Sequence, residues 1–326
     1  MQKGSKKPPA RSRPNARIAL PLLSLVVTLT LGAQLSPPPN DYRIAMDVER
    51  VDLHLSVQTR QGRLVPGLDQ QHFQVFEDGE RQQIRYFSNE DVPVTVGLLL
   101  DNSRSMGPKR REAVAAALVF VGSSNLQDEV FVVHFNEHVR FGLPERTLFS
   151  NDLQQLRAAF TRLTPDGQTA LYDALGIALK HAQKGRRDKK VLIVISDGGD
   201  NASGTEFDQI WDEVRRRDII VYAIGLYDQL NKDRDPKVLK RLAGATGGEA
   251  FFPARVEDVI RICRQIAGEI RAQYTLGYAP LNRKRDGAYR KIRVVARSAA
   301  GKTLKVRTRA GYFAPKDDVS ASSPSQ

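Results

Sequence analysis

The sequence predicts an α/β fold: a doubly wound, mostly parallel sheet, with a smaller β-rich companion domain formed by the N- and C-terminal flanks. Three observations carry this. Across residues 92–273, short apolar runs alternate with stretches whose apolar residues recur at helical spacing. On either side of that zone the apolar period drops to two, as in strands with one buried face. Two of the apolar runs end in an aspartate, at Leu100-Asp101 and Ile195-Ser196-Asp197. In open α/β sheets, ligands bind beyond the carboxyl ends of the strands.

Residues 1–33 are set apart by charge. They hold six of the chain's cations and no acid, so a net charge of +13 falls to about +7 for the rest. Residues 18–32 then form an uncharged, mostly apolar run that leads to Ala33. Basic residues, a short apolar run and small residues make a secretory signal. Leu31 is bulky where cleavage wants a small residue, which keeps an uncleaved membrane anchor through residues 18–33 as the alternative. Either way the chain is expected to be exported, to the periplasm or the cell exterior. With one cysteine, Cys263, it can form no internal disulfide. Cys263 sits in an apolar stripe at helical spacing, which reads as core.

In the first flank, residues 42–91, Val51, Leu53, Leu55 and Val57 alternate with polar residues. Asp78-Gly79 falls between two alternating runs, a hairpin signal. In the α/β zone, strands are expected over 94–100, 130–134, 191–195, 219–225 and 249–252, with 140–143 as a hairpin partner. Helices are expected over 108–121, 152–163, 169–183, 206–217, 236–245 and 256–273. Several βα units in series argue for helices on both faces of a parallel sheet. The second flank, residues 274–313, returns to strands at 289–296 and 302–308, and residues 314–326 read as a disordered tail. The strand over 94–100 starts at the pole opposite Asp101, and the last helix, running antiparallel, ends there. Both flanks should therefore meet in one companion domain.

The first α/β strand runs into Asp101-Asn-Ser103-Arg-Ser105, a carboxylate and two hydroxyls at alternate positions on what is expected to be a solvent-facing loop. Alone, such a run could simply cap the next helix. Thr169 stands at the mouth of another helix, and Asp197 follows the apolar run 191–195 with glycines opening the turn. If strands 94–100 and 191–195 are neighbours at the winding switch, Asp101, Ser103, Ser105, Thr169 and Asp197 converge. Two carboxylates, three hydroxyls and waters are hard oxygen ligands suited to Mg²⁺ or Mn²⁺.

These residues resemble the metal-ion-dependent adhesion site of von Willebrand factor A-type domains, whose pattern is D-x-S-x-S, then a threonine, then an aspartate. The flanking Val75-Phe-Glu-Asp-Gly79, Ala245-Thr-Gly-Gly248, Gln273-Tyr-Thr-Leu-Gly-Tyr278 and Ala310-Gly-Tyr-Phe313 resemble bacterial exported members of that family. The resemblance implies a Rossmann-like domain in which Ser103, Ser105 and Thr169 ligate the ion through hydroxyls. Asp101 and Asp197 would act directly or through water, leaving one coordination position for an acidic side chain of a protein partner.

Other signals weigh less. His134-Phe-Asn-Glu-His138 matches a zinc-peptidase pattern, but that chemistry needs both histidines on one helix, and Val130-Phe-Val-Val133 reads as a strand. The basic runs over 184–190 and 215–217 read as solvated loops away from the site, and they lack the interleaved aromatics that stack nucleic-acid bases. The expected function is therefore a metal-dependent, adhesion-like protein-binding module that is not an enzyme. A metal-stiffened structural subunit and a metal-assisted hydrolase are the rivals. The signal makes one prediction: N-terminal sequencing of the exported protein should begin near Gln34, whereas a sequence beginning at Met1 would establish the anchored form.

Overall fold

The computed structural model describes residues 50–227, 235–255 and 257–317. The expected signal and residues 318–326 of the expected tail lie outside them. β1 (Val51–Gln58) buries Val51, Leu53, Leu55 and Val57, as its alternation predicts. A 3-10 turn, Gln70–His72, leads into β2 (Phe73–Glu77), which folds back onto β3 (Glu80–Gln82). The turn between them places Asp78 and Gly79 at φ of 48° and 90°. Two left-handed residues in succession give the twist a two-residue hairpin requires. After Gln83 the chain enters β4 (Ile84–Ser88).

The α/β zone follows in the expected order. It comprises β5 (Val94–Asp101), α1 (Arg110–Gly122), β6 (Glu129–Phe135), β7 (Val139–Phe141), α2 (Leu153–Thr161) and α3 (Leu171–Ala182). Then come β8 (Lys189–Ser196), α4 (Phe207–Arg216), β9 (Ile220–Gly225), α5 (Pro236–Thr246), β10 (Ala250–Phe251) and α6 (Asp258–Arg271). The sheet order is β10-β9-β8-β5-β6-β7, parallel throughout except for the β6–β7 hairpin. α1 packs with α2 and α6, and α4 packs with α3 and α5, which gives three helices to each face. Both central strands are covered, so β5 and β8 are buried along nearly their whole length, and each buried Val, Leu or Ile contributes about 1.5–3 kcal/mol. The expected helix over 108–121 starts two residues late. A 3-10 turn, Arg104–Lys109, takes up Pro108 and brings Met106 N onto Ser103 O at 3.0 Å.

The last strands are β11 (Tyr274–Tyr278), β12 (Tyr289–Arg297), β13 (Thr303–Arg307) and β14 (Gly311–Phe313). They join the first flank in one antiparallel sheet, ordered β3-β2-β12-β13-β1-β11-β4, with β14 paired to β12. β1, from the first flank, lies between β13 and β11 from the second. This sheet has its own core, in which Leu53, Leu55, Phe73, Val75, Tyr274 and Leu276 take part. Contacts also continue past Phe313: Ala314 is buried, and the backbone of Lys316 forms an isolated antiparallel β-bridge with Asp286.

α6 ends where β5 begins. Arg271 pairs with Asp91 at 3.2 Å and also donates to the carbonyl of Ser123, just beyond α1. The companion sheet is fastened here through Glu269, 1% exposed, whose carboxylate accepts from Ser56 of β1 and Tyr222 of β9, each at 2.8 Å, and from Arg307 of β13. Arg307 also pairs with Glu249.

The basic runs are less solvated than their composition predicts. Lys189 is buried in β8 and donates to the carbonyl of Ile270 at 2.7 Å, and burial brings its pKa down to about 8. Arg215 lies 4.2 Å over the Tyr289 ring and Arg216 4.2 Å over Phe313, so this run packs on the companion sheet.

The Glu269 network yields a prediction. Arg307→Ala leaves a buried carboxylate without its cation, so urea unfolding should show a loss of about 3 kcal/mol or more. A loss under about 1 kcal/mol, the size expected of an exposed pair, would contradict this reading of the interface.

Candidate metal centre

Parallel pairing sets the site. β5 and β8 run side by side with Leu100 opposite Ile195, so Asp101 and Ser196-Asp197 leave the sheet together at its carboxyl end. Asp101 is the last residue of β5 and only 2% exposed, not a solvent-facing loop residue as the sequence predicts, because Ser196 and the turn after it cover the strand end. Its Oδ1 accepts from the backbone N of Ser103 at 2.8 Å, and its Oδ2 accepts from Ser196 Oγ at 2.7 Å. Ser103 Oγ and Ser105 Oγ are 3.1 Å apart, and Ser105 Oγ donates to Asp197 Oδ2 at 2.8 Å. Asp197 is 1% exposed, and the following Gly198 has φ of 78°, which lets the chain turn sharply away.

Four of the five predicted residues are thus joined through side chains. Thr169 arrives through its backbone: its N donates to Asn201 Oδ1 at 2.8 Å, and its carbonyl accepts from the N of Asn201 and of Ala202. The loop carrying Thr169 is held against the Asp101 loop by Arg104 N to Gly167 O and by Asp166 N to Asn102 O.

The sequence reading missed Ser196, Asn102 and Asn201. Ser196 looked like the end of a strand, and only the β5–β8 pairing makes it a donor to Asp101. Asn102 Nδ2 and His134 Nδ1 are 2.7 Å apart, and His134 Nε2 lies 2.6 Å from the carbonyl of Ala159. A carbonyl only accepts, so Nε2 carries the proton and Nδ1 accepts from Asn102. Both ring nitrogens are engaged, and burial lowers the His134 pKa to about 4. His138 falls on the turn between β6 and β7, so the histidine pair shares no helix.

Burial first, and then the charge of Asp197, push the Asp101 pKa up to about 6, against the lowering effect of hydrogen bonds from Ser103 and Ser196. Crowded buried carboxylates with hydroxyls between them fit a dication. Two carboxylates and the serine hydroxyls are hard oxygen donors, a set that would suit Mg²⁺ or Mn²⁺, while among the described residues no group of three or more His, Cys, Asp or Glu is placed to hold a metal.

Residues 95–263 match the model of the von Willebrand factor type A domain, and they contain all five site residues. The chain belongs to that family. A curated relative, the uncharacterized protein sll0103 of Synechocystis sp., is 23% identical over 181 residues, and the match covers 54% of this chain and 41% of the relative. The chain thus spans less than half of that relative's length. Among solved structures, a von Willebrand factor type A protein from Catenulispora acidiphila is similar at 16% identity and TM-score 0.48, covering 83% of this chain and 76% of the other. The vWF domain of the type V pili tip protein Mfa5 from Porphyromonas gingivalis is similar at 15% identity and TM-score 0.47, covering 55% and 95%. At these scores the family match carries the assignment.

The raised Asp101 pKa yields a test in chelator. Between about pH 4 and 6 the folded protein binds a proton at Asp101 that the unfolded chain does not, so this group's stability is full below about pH 4 and lost as pH rises through 6. Asp101→Asn removes the charge and keeps the shape, and should stabilise the metal-free protein by about 1–3 kcal/mol at pH 7. The gain should vanish near pH 4. Equal or lower stability of the variant at pH 7 would refute the crowding argument. Asp101→Ala is the poorer probe, because it leaves Ser196 Oγ and Ser103 N without their acceptor.

Proposed function

We propose that this chain is an exported, metal-dependent protein-binding module. In this reading Asp101, Ser103, Ser105, Thr169 and Asp197 hold Mg²⁺ or Mn²⁺, and an acidic side chain of a protein partner completes the coordination. The observation that carries it is the pair of buried carboxylates at adjacent strand ends, with Ser103 and Ser105 hydroxyls beside them. A dication offsets two buried negative charges better than hydroxyls and waters alone, and its affinity for oxygen extends to a partner's carboxylate. Export rests on the basic residues before the apolar run 18–32. If that segment stays attached, it associates the protein with a membrane; among the described residues no helix is long and apolar enough to span one.

The bonds between the loops favour binding over mere stiffening. Arg104 N to Gly167 O, Asp166 N to Asn102 O and Asn201 N to Thr169 O already tie the three loops together. In this reading the ion's contribution lies in what it presents outward.

Capture from the exported fraction should retain a partner in Mg²⁺ and release it in EDTA. Asp101→Asn should lose calorimetric Mg²⁺ binding by at least about tenfold, together with the same partner. A folded variant that binds no metal yet captures the partner undiminished would place the binding surface elsewhere.

A further inference from the structure

We infer that the companion sheet carries a binding trough for an acidic oligosaccharide, a sugar chain bearing carboxylates. The trough follows from how the sheet is rolled. β3 and β4 are the two ends of the strand order, yet only Gln83 separates them along the chain, so the sheet curls until its ends meet at that corner. Beyond the corner the seam opens into a cleft of about 760 Å³, within the size range of small-ligand sites.

Two consecutive glutamine pairs face this cleft, Gln70-Gln71 from the 3-10 turn and Gln82-Gln83 from the corner, together with Gln74 and Arg81. Two of the amides are spent on the frame. Gln82 is buried, donating to Glu80 O at 3.2 Å and accepting from Leu281 N at 3.1 Å. Gln70 Nε2 donates to Ile84 O at 3.2 Å, which pins the turn to the start of β4. Gln71, Gln74, Gln83 and Arg81 line the cleft with no side-chain hydrogen bond to other described residues.

A second cleft, of about 270 Å³, shares Gln71 and Gln74 and continues past Arg297 and Ser298. Sharing two lining residues, the clefts adjoin, an arrangement that would serve a polymer. No aspartate or glutamate lines either cleft, whereas an arginine stands in each. An amide donates and accepts at once, as sugar hydroxyls demand, and a guanidinium fork matches a carboxylate. A peptide strand added to the seam would need the free edge of β4, and Gln70 already occupies the carbonyl of Ile84 at its start.

The test titrates the full exported chain with tetragalacturonate, cellotetraose and hexaglutamate by calorimetry in EDTA, which removes any metal-held carboxylate at Asp101. Tetragalacturonate should bind saturably with Kd on the order of 0.1–1 mM, and cellotetraose about tenfold more weakly. Arg81→Ala with Arg297→Ala should bring the acidic sugar down to the neutral one. Gln71→Ala with Gln74→Ala should weaken both by at least about tenfold, with the unfolding midpoint unchanged. No saturable binding of either sugar, or wild-type affinity in the glutamine variant, would overturn the assignment. Hexaglutamate binding as tightly as tetragalacturonate would overturn it too, in favour of an acidic peptide. Asp101→Asn should bind the sugars like the wild type, which keeps this result separate from the metal-site reading.

Discussion

Parallel pairing of β5 with β8 is the constraint on which the site depends. With Leu100 opposite Ile195, two carboxylates and a serine must emerge together where both strands end. Helices cover both faces of these strands, so the strand ends are buried, and burial is what makes two neighbouring negative charges costly. The fold sustains that cost with short hydrogen bonds: Ser103 N and Ser196 Oγ on Asp101, and Ser105 Oγ on Asp197. The same crowding raises the proton affinity of Asp101 and, in the function proposed here, draws a dication to the site.

The companion sheet depends on another buried carboxylate, used in the opposite way. Glu269 is enclosed by hydroxyls of Ser56 and Tyr222 and by the Arg307 guanidinium, groups drawn from both sheets. At the candidate metal centre the buried acids meet serine hydroxyls and a backbone N–H, whereas here an arginine of the chain joins the hydroxyls. Lining up α6 with the start of β5 lets the flanks leave the α/β domain side by side, and β1 then slots between β11 and β13.

Much of this was legible in the residues. The strand and helix order followed from period and composition, because burial on one or both faces imposes those patterns whatever the neighbours. Asp101, Ser103 and Ser105 could be proposed from the residues because their spacing is local, and Thr169 and Asp197 because each stands at the end of a recognisable element. His134 was read as a strand residue, since β-branched and aromatic neighbours argue against a helix. What misled was environment. Asp101 was expected in solvent, and the 215–217 arginines were expected in a loop, although Tyr289 lies under Arg215 and Phe313 under Arg216.

The sequence by itself determined the strands and helices of the α/β zone, and which oxygen-bearing side chains stand at strand and helix ends. Those properties depend on neighbours within a few residues. Tertiary structure alone decided that Ser196 bonds Asp101, that Asn102 holds His134, that Glu269 meets Arg307, and that the two glutamine pairs face one cleft. Each of these joins positions that only sheet register, helix docking or the curl of the sheet brings into contact. Such contacts are between atoms, and hydrophobic periodicity records only which face of an element is buried.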